Sequence, residues 1–360
     1  MNFSLSLRRT RVYRGALYHQ DKVTGMQKAL SIFLLSAALM DSTAIFAEEK
    51  TPLQFERFNF YLENDFFDRT DKNYTGGIKL STLYRVDTAA YPYLQMPYLY
   101  DNTKYHFFTI SVAQEIYTPQ DKASTIPNPE DQPYAAWLYA GFKLQQTDSK
   151  EADTLELQLG IVGPAALGEE TQNLAHKLIN NKPSNGWDHQ LHNELGIIVA
   201  YEHRWRNHTD DLVWNLNADL TPFAGFALGN VHTYLNSGTA VRIGWNIPHD
   251  FGNTIMHPAQ ESGLPAYSMD AERYNPKWAF YLLATVDLHI DIRNIFLDGN
   301  TFRDSPSVPD REYFVAECTA GLDFNYGRWD LALLNTYRTR EYPLNSRGFS
   351  YGSVVISYAY

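Results

Sequence analysis

The stretch FYLLATVDLHID, residues 280–291, decides the fold class of this chain. Its residues alternate between two sets, and alternation with a period of two places one set on each face of a β-sheet. The first set is Phe280, Leu282, Ala284, Val286, Leu288 and Ile290, and the second is Tyr281, Leu283, Thr285, Asp287, His289 and Asp291. Strands in soluble sheets average about 5–6 residues. A run of this length is typical of a tilted strand that crosses a bilayer.

The same alternation returns along the chain from Phe55 to its end, between turn residues. Further examples lie at 155–161, 214–220 and 314–324. The last segment alternates Val354, Ile356 and Tyr358 with smaller residues and ends on Tyr360. A final strand with a terminal aromatic resembles the assembly signal of bacterial outer-membrane barrels. It predicts the barrel-assembly machinery as a partner and the outer membrane as the location.

The strand count predicts the architecture. About 12 strands are expected, an even number as in membrane barrels. They lie near 55–64, 74–86, 105–117, 134–147, 153–163, 192–205, 211–224, 232–246, 276–295, 311–326, 328–340 and 349–360. We expect an all-β, antiparallel transmembrane β-barrel, because lipid cannot hydrogen-bond an open sheet edge. Loops near 118–133, 248–275 and 341–347 are long enough to project from it. The alternative is a soluble β-sandwich or a lipocalin-like barrel in the periplasm.

The N-terminal region has the pattern of a secretory signal. A basic start, an apolar run over 29–40 and a small residue at Ala47 precede an acidic pair, as in a cleaved signal peptide. We predict a signal peptide over residues 1–47, with Met26 as an alternative start, and one barrel domain over 48–360. Residues 48–360 contain 24 basic and 39 acidic residues. An excess of acidic residues argues against nucleic-acid binding, and the single Cys318 excludes an internal disulfide.

One stretch interrupts the strands, from Gly160 to Trp187. Its middle has the composition and period of a helix, and we predict a short helical insertion near 168–181. Gln172 and His176 are four residues apart, so they share one helix face. A His with a pKa near neutral is the usual general base. The alternative is an ordinary surface His.

Two motifs near the start of the barrel carry further candidates. Glu63-Asn64-Asp65 ends the first strand, where Asp65 offers a carboxylate to a hard cation and Asn64 a hydrogen-bond donor. The alternative is an ordinary turn. Asn73-Tyr74-Thr75-Gly76-Gly77 opens the next strand, and its glycines allow a bulge or a close backbone approach. The alternative there is a simple strand bend.

Several catalytic motifs are absent from the sequence. There is no G-x-S-x-G nucleophile elbow, and no H-E-x-x-H or Cys cluster that would indicate zinc. Ser184-Asn185-Gly186 is similar to the Ser-Asn-Gly of outer-membrane phospholipase A, but Lys182 stands where that family has its His. This leaves a phospholipase dependent on Ser184 as an alternative.

Taken together, the motifs resemble the lipid A 3′-O-deacylase family of outer-membrane enzymes, over roughly residues 55–195. They are the two motifs above with 113–119, 131–135, 163–164, 172–176, 186–188, Gln190 and 193–194. The resemblance implies a twelve-stranded barrel that hydrolyses an acyl chain of lipid A, the anchor of lipopolysaccharide. His176 would be the base acting on water. Gln172, Asn64 and Thr75 would support it, and Asp65 would ligate a calcium ion that stabilises the oxyanion.

Two positions depart from the family pattern. Lys182 stands where an acidic residue is expected, and Gln132 where Arg is usual. Lys122 lies in the loop where a substrate-contacting Lys is expected. These departures keep a second class open, a porin or structural barrel without enzyme activity.

Overall fold

The computed structural model describes residues 52–65, 73–179, 184–209, 212–267 and 277–360. The chain divides into two compact units. One is the strand-rich unit of Thr51–Glu169 and Asn185–Tyr360, and the other combines Met1–Lys50 with Glu170–Ser184. The predicted signal peptide over 1–47 lies outside the described residues.

The strand-rich unit forms one antiparallel sheet from the strands among its described residues. They are β1 (Leu53–Asn64), β2 (Asn73–Val86), β3 (Tyr105–Thr118), β4 (Ala135–Thr147), β5 (Glu151–Val162), β6 (Glu194–Trp205), β7 (Asn207–Thr209), β8 (Asn217–Gly229), β9 (His232–Trp245), β10 (Trp278–Asn294), β11 (Phe314–Tyr326), β12 (Trp329–Arg338) and β13 (Phe349–Ala359). The three-residue β7 continues β6 beyond Arg206, and both pair with β8. The wall therefore has twelve strand positions.

The sheet closes on itself through two pairings. β1 pairs with β13, with Phe58 opposite Tyr358, and β6 pairs with β8, with Ile198 opposite Gly229. Every other strand pairs with its neighbour in sequence. The result is a closed barrel of twelve antiparallel strands, as the alternation predicted, and the soluble sandwich is excluded.

The barrel wall is apolar outside and polar inside. On β10, Leu282 and Leu288 are more than half exposed, at 51% and 56%, while Asp287 and His289 are buried. This confirms the two faces assigned from the 280–291 alternation. An apolar outer surface over a polar interior is the arrangement expected of a barrel in lipid.

One predicted strand was misplaced. The segment expected over 211–224 is observed as β8 at Asn217–Gly229. Trp214 lies in the short 3₁₀ turn Val213–Asn215 and has φ of 60°. Left-handed backbone at a bulky residue cannot continue an extended ladder, so the alternation of 214–220 overstated the strand at its start.

The helical insertion is confirmed as α1 (Gly168–Ile179). It begins where a side chain at Gly168 would clash: a Cβ there would lie 2.5 Å from the Ala136 Cβ and 2.8 Å from the Trp187 ring. Glycine therefore permits the close approach of the helix start to the wall. Across the described residues, no helix combines the length and apolarity needed to span a membrane.

The segment of residues 247–267, which we call the luminal loop, fills the barrel interior. Met256 N–H donates to the Glu63 carboxylate on β1 at 2.8 Å, and Gln260 donates to Glu202 on β6 at 2.9 Å. Asn253 donates to Asp330 on β12 at 3.2 Å. Contacts on three sides of the wall place the loop in the lumen. The prediction that 248–275 projects from the barrel is therefore wrong for 248–267, and the remainder lies outside the described residues.

A buried carboxylate anchors the luminal loop. Glu261 lies 2.7 Å from Lys143 Nζ and 3.3 Å from Lys79 Nζ, and its side chain is fully buried. Asn59 and Tyr61 also donate to it, at 2.7 and 3.2 Å. Two ammonium groups and two neutral donors compensate the charge of Glu261. Without such partners, burial of a carboxylate would be strongly destabilising.

Candidate functional site

One end of the barrel carries all the described strand motifs singled out in the sequence. We call it the site rim; Asn64, Asn73, Thr118, Ala135 and Val162 end or begin their strands there. The antiparallel register causes this, because every second connection returns to the same end. Asn73 pairs with Thr118, Tyr117 with Ala135, and Val162 with Glu194. Motifs up to 130 residues apart in sequence thus share one edge.

Asn64, Thr75 and Thr118 form a hydrogen-bonded row across β1, β2 and β3. The Asn64 side-chain amide donates to the Thr75 carbonyl oxygen at 3.1 Å. The hydroxyls of Thr75 and Thr118 lie 2.6 Å apart, and both residues are buried. Asp65 follows directly and is 1% exposed. The row holds two of the four predicted catalytic residues beside the predicted metal ligand.

The glycines that open β2 act as expected from the sequence. The register between β2 and β3 shifts between Tyr74 and Gly76, which is a bulge. A Cβ at Gly76 would lie 2.6 Å from the Glu63 carbonyl oxygen, which is backbone and cannot move aside. The close approach of β1 and β2 brings Thr75 to Asn64, and the bulge lies in the neighbouring β2–β3 pairing, where Thr75 meets Thr118.

Lys122 lies close enough to Asp65 for their charges to interact. Burial lowers the pKa of Lys122 to about 8, and the Asp65 carboxylate partly opposes that decrease. The loop that carries Lys122 is tied to the next motif, because Asn185 N–H donates to the Lys122 carbonyl oxygen at 3.0 Å. A cation beside the predicted site is consistent with a phosphate-bearing substrate.

Tyr342 links two of the motifs and was missed by sequence reasoning. Its hydroxyl lies 2.5 Å from Asn73 Oδ1 and 2.8 Å from Asp131 Oδ1. Burial, followed by the Asp131 charge, raises the pKa of Tyr342, so the phenol stays a neutral donor. No signal marks Tyr342 in the sequence, because it comes from the loop between β12 and β13.

The helix α1 buries its polar face. Gln172 and His176 are 3% and 5% exposed, whereas Leu174 is 60% exposed. The prediction that Gln172 and His176 share one face is consistent with this pattern. A helix that buries an amide and an imidazole while exposing a leucine departs from the usual amphipathic pattern, in which the apolar face is the buried one.

Three further residues singled out in the sequence, Glu63, Gln132 and Ser184, lie outside the row of Asn64, Thr75 and Thr118. Glu63 faces the lumen, where it accepts from Tyr74 at 2.7 Å and holds the luminal loop. Gln132 is buried and borders an interior cavity with Glu63 and Glu115. Ser184 is buried, and Lys182 lies outside the described residues.

The oxygen donors around Asp65 suit calcium. Calcium prefers carboxylate, carbonyl and amide oxygens over nitrogen ligands. Asp65 supplies a buried carboxylate, and Asn64 and Thr75 bring amide, carbonyl and hydroxyl oxygens to the same rim. Asp131 is already engaged, since the Gln120 and Gln132 N–H groups and Tyr342 donate to it. The residues present therefore fit the ion, with the buried Asp65 as its carboxylate.

Comparison with known proteins gives one consistent family. The family model described as "Outer membrane protein LpxR" matches residues 32–360. Among solved structures, LpxR from Salmonella typhimurium matches with a TM-score of 0.69 at 20% identity, over 84% of this chain and 100% of that chain. The beta domain of the Bordetella autotransporter BrkA matches with a TM-score of 0.41 at 9% identity, over 85% and 98% of the two chains. No curated protein matches.

Proposed function

The chain belongs to the LpxR family of outer membrane proteins, and from that membership we propose that it is an esterase that removes an acyl chain from lipid A. The protein is an outer-membrane β-barrel, as its closed lipid-facing wall and its family both indicate. Family membership supports lipid A deacylation in the outer membrane. The reacting groups, the ion and the bond cleaved are the parts that we propose.

The base in the proposed reaction is His176. Its imidazole takes a proton from water as the water oxygen attacks the acyl carbonyl carbon. The tetrahedral intermediate then collapses, the ester C–O bond breaks to release the fatty acid, and the imidazolium gives its proton to the departing sugar oxygen, which leaves as a hydroxyl. A positioned general base contributes about 10²–10⁴-fold. Gln172, one helical turn away on the same face, would orient the imidazole or the water.

The developing oxyanion needs a positive partner at the site rim. Asn64 and Thr75 would contribute donors, each worth about 3–4 kcal/mol when preorganised. Calcium, when bound at Asp65, would supply Lewis-acid stabilisation of the oxyanion. Lys122 would contact a phosphate of lipid A. The hydrogen-bonded row of Asn64, Thr75 and Thr118 beside buried Asp65 is the observation that carries this proposal.

The direct test is mass spectrometry of lipid A from cells with and without the protein. The proposal expects the loss of one acyloxyacyl group when the wild-type protein is present. Purified His176→Ala in detergent with added calcium should lose at least 100-fold in rate, while His189→Ala, an exposed His on the 3₁₀ turn Trp187–His189, should keep it. If lipid A from expressing cells keeps all its acyl chains, the proposed activity is wrong. If His176→Ala hydrolyses lipid A as fast as the wild type, His176 is not the base.

The luminal loop argues against the porin alternative. A porin requires a water-filled lumen, and the luminal loop occupies the interior with hydrogen bonds to β1, β6 and β12. No observation favours the phospholipase alternative, because Lys182, two residues before Ser184, stands where that family has its His.

A further inference from the structure

A cluster of metal-ligating side chains lies inside the barrel, apart from the residues proposed for deacylation. It comprises His257 of the luminal loop, His289 of β10 and Glu317 of β11. Each offers one ligand atom, and these atoms all lie within 4.8 Å of one another. His257 Nε2 lies 2.8 Å from Glu317 Oε2, and the two imidazole rings are 5.5 Å apart.

The register of the wall creates the cluster. On the inward faces of β10 and β11, Asp287 lies directly opposite Glu317, and His289 opposite Val315. His289 is thus a diagonal neighbour of Glu317 on the same face, at a separation that long side chains can bridge. The luminal loop then brings His257 over this pair. Two of the three positions belong to rigid strands, which favours a preorganised site.

The surroundings carry an excess of buried negative charge. Asp287, Asp291 and Glu317 are each 5% exposed or less. Arg338 is the guanidinium that reaches two of them, at 2.9 Å from Glu317 Oε1 and 3.5 Å from Asp291 Oδ2. Like charges directly opposite each other in a sheet are destabilising, and buried charges need partners. His257 Nε2 lies 2.8 Å from Glu317 Oε2 and His289 Nε2 lies 3.2 Å from Asp287 Oδ2, so a divalent cation held by these imidazoles would sit next to both carboxylates and offset their repulsion.

The buried imidazole of His289 has few hydrogen-bonding partners. It is 2% exposed, and among the described residues neither of its ring nitrogens makes a hydrogen bond of good geometry. Asp287 Oδ2 lies 3.2 Å from Nε2, out of line for a hydrogen bond. Buried polar atoms are normally paired. A buried imidazole whose ring nitrogens are not committed to strong hydrogen bonds is available as a metal ligand.

We propose that His257, His289 and Glu317 bind one divalent transition-metal ion of the zinc class, with water completing the shell. Two imidazoles and one carboxylate form a known catalytic zinc set and suit such ions better than calcium. Arg338 holds Glu317 Oε1, so Oε2 is the ligand oxygen. Asp287 lies beside His289, where its carboxylate would orient the imidazole ring of the bound state. Asn236 in turn donates to Asp287 at 3.3 Å.

The ion would fasten the luminal loop to the wall. Its ligands come from the loop, β10 and β11, so binding cross-links three segments that are otherwise joined through hydrogen bonds. In a tetrahedral shell around a zinc ion, neighbouring ligand atoms lie roughly 3.3 Å from one another. The present separations of up to 4.8 Å need side-chain shifts of about 1 Å, which rotation of His257 can supply because its segment is a loop.

The test uses the full-length barrel folded in detergent, stripped with a chelator and then dialysed against Zn²⁺ with calcium in excess. Elemental analysis should give about one zinc per chain. His289→Ala and Glu317→Gln should each lower bound zinc to a small fraction of that, and Asp287→Asn should weaken it about 10–100-fold. His106→Ala, a buried His on β3, is the matched control and should bind as the wild type does.

A second measurement distinguishes loss of the metal ligands from misfolding of the variant. Co²⁺ loaded in place of zinc should give the visible absorption of a low-coordinate N/O site in the wild type and in His106→Ala, and lose it in the ligand variants. Heat-modifiable migration on gels confirms that each variant is a folded barrel. Absence of zinc above background, or equal zinc in folded His289→Ala and wild-type barrels, would overturn the site and leave His257 and Glu317 as a plain ion pair.

Discussion

The Asn64 side-chain amide donates to the Thr75 carbonyl oxygen at 3.1 Å, across the end of the β1–β2 pair. This bond fixes the amide group of Asn64, so its orientation is set before any substrate arrives. Asp65 follows Asn64 directly and is therefore carried by the same fixed strand end. Preorganisation of this kind is what electrostatic stabilisation of an oxyanion requires.

Replacement of Asp65 tests the ion. Asp65→Asn keeps the shape of the side chain and removes the carboxylate, so we expect deacylation to fall by about 100-fold and to need more calcium for half-maximal rate. The measurement is the rate of lipid A hydrolysis in detergent across a calcium titration. Glu130→Gln, an exposed carboxylate in the loop after β3, is the control. An unchanged calcium curve in Asp65→Asn would remove Asp65 from the ion site.

Replacement of Gly76 tests the close approach of β1 and β2. A Cβ at this position would meet the Glu63 carbonyl oxygen at 2.6 Å, so Gly76→Ala must push β1 and β2 apart beside Asn64. We expect a folded barrel whose deacylation rate is reduced about 10–100-fold, as a displacement near 1 Å produces. Gly327→Asn, at a turn at the other end of the barrel with open space around it, should leave the rate unchanged. Equal rates for both variants would contradict the role of the close β1–β2 approach.

Removal of the Glu261 side chain tests the anchor of the luminal loop. Glu261→Ala leaves Lys79 and Lys143 buried without their carboxylate, which costs about 3–5 kcal/mol. The measurement is the free energy of unfolding in guanidinium. Glu312→Ala is the matched control, because its ion pair with Arg340 is 39–49% exposed and such pairs contribute about 0–1 kcal/mol. Similar losses in the two variants would show that the loop is held mainly by other contacts.

Glu341 gives the barrel a defined pH dependence. Burial raises the pKa of Glu341 to about 7 from 4.5, against the opposing effect of Arg338. Between pH 4.5 and 7 the folded protein holds a proton that the unfolded chain has released, so the free energy of unfolding falls as pH rises through this window. Glu341→Gln should lessen that fall.

The measurement for Glu341 is the guanidinium midpoint at pH 5 and pH 8. The difference between the two midpoints should be smaller in Glu341→Gln than in the wild type. Glu312→Gln, at an exposed carboxylate, should reproduce the wild-type difference. If the Glu341→Gln difference matches the wild type, the carboxyl does not titrate as described.

The barrel could be predicted from sequence because its wall follows a simple rule. Alternation such as that of Leu288 with His289 needs no knowledge of distant contacts, only the period of a strand and a bilayer outside it. The antiparallel register then requires that Asn64, Thr75 and Thr118 meet at one rim. Where a local turn broke the rule, as at Trp214 with its φ of 60°, the predicted strand began too early.

The interior could not be predicted in the same way. The luminal loop has the Pro, Gly and Asn content of an exposed loop, and its inward course depends on contacts such as Glu261 with Lys143, 118 residues apart. Tyr342 reaches Asp131 across 211 residues. His257 likewise meets Glu317 only because the chain folds back into the lumen. No local pattern encodes such pairings, and the roles of Gln172 and His176 stay predictions.

The filled lumen has a consequence for the cell that carries this protein. In a membrane barrel an empty lumen is an aqueous channel. Because residues 247–267 occupy this lumen through hydrogen bonds on several sides, insertion of the barrel into the membrane would add no open pore.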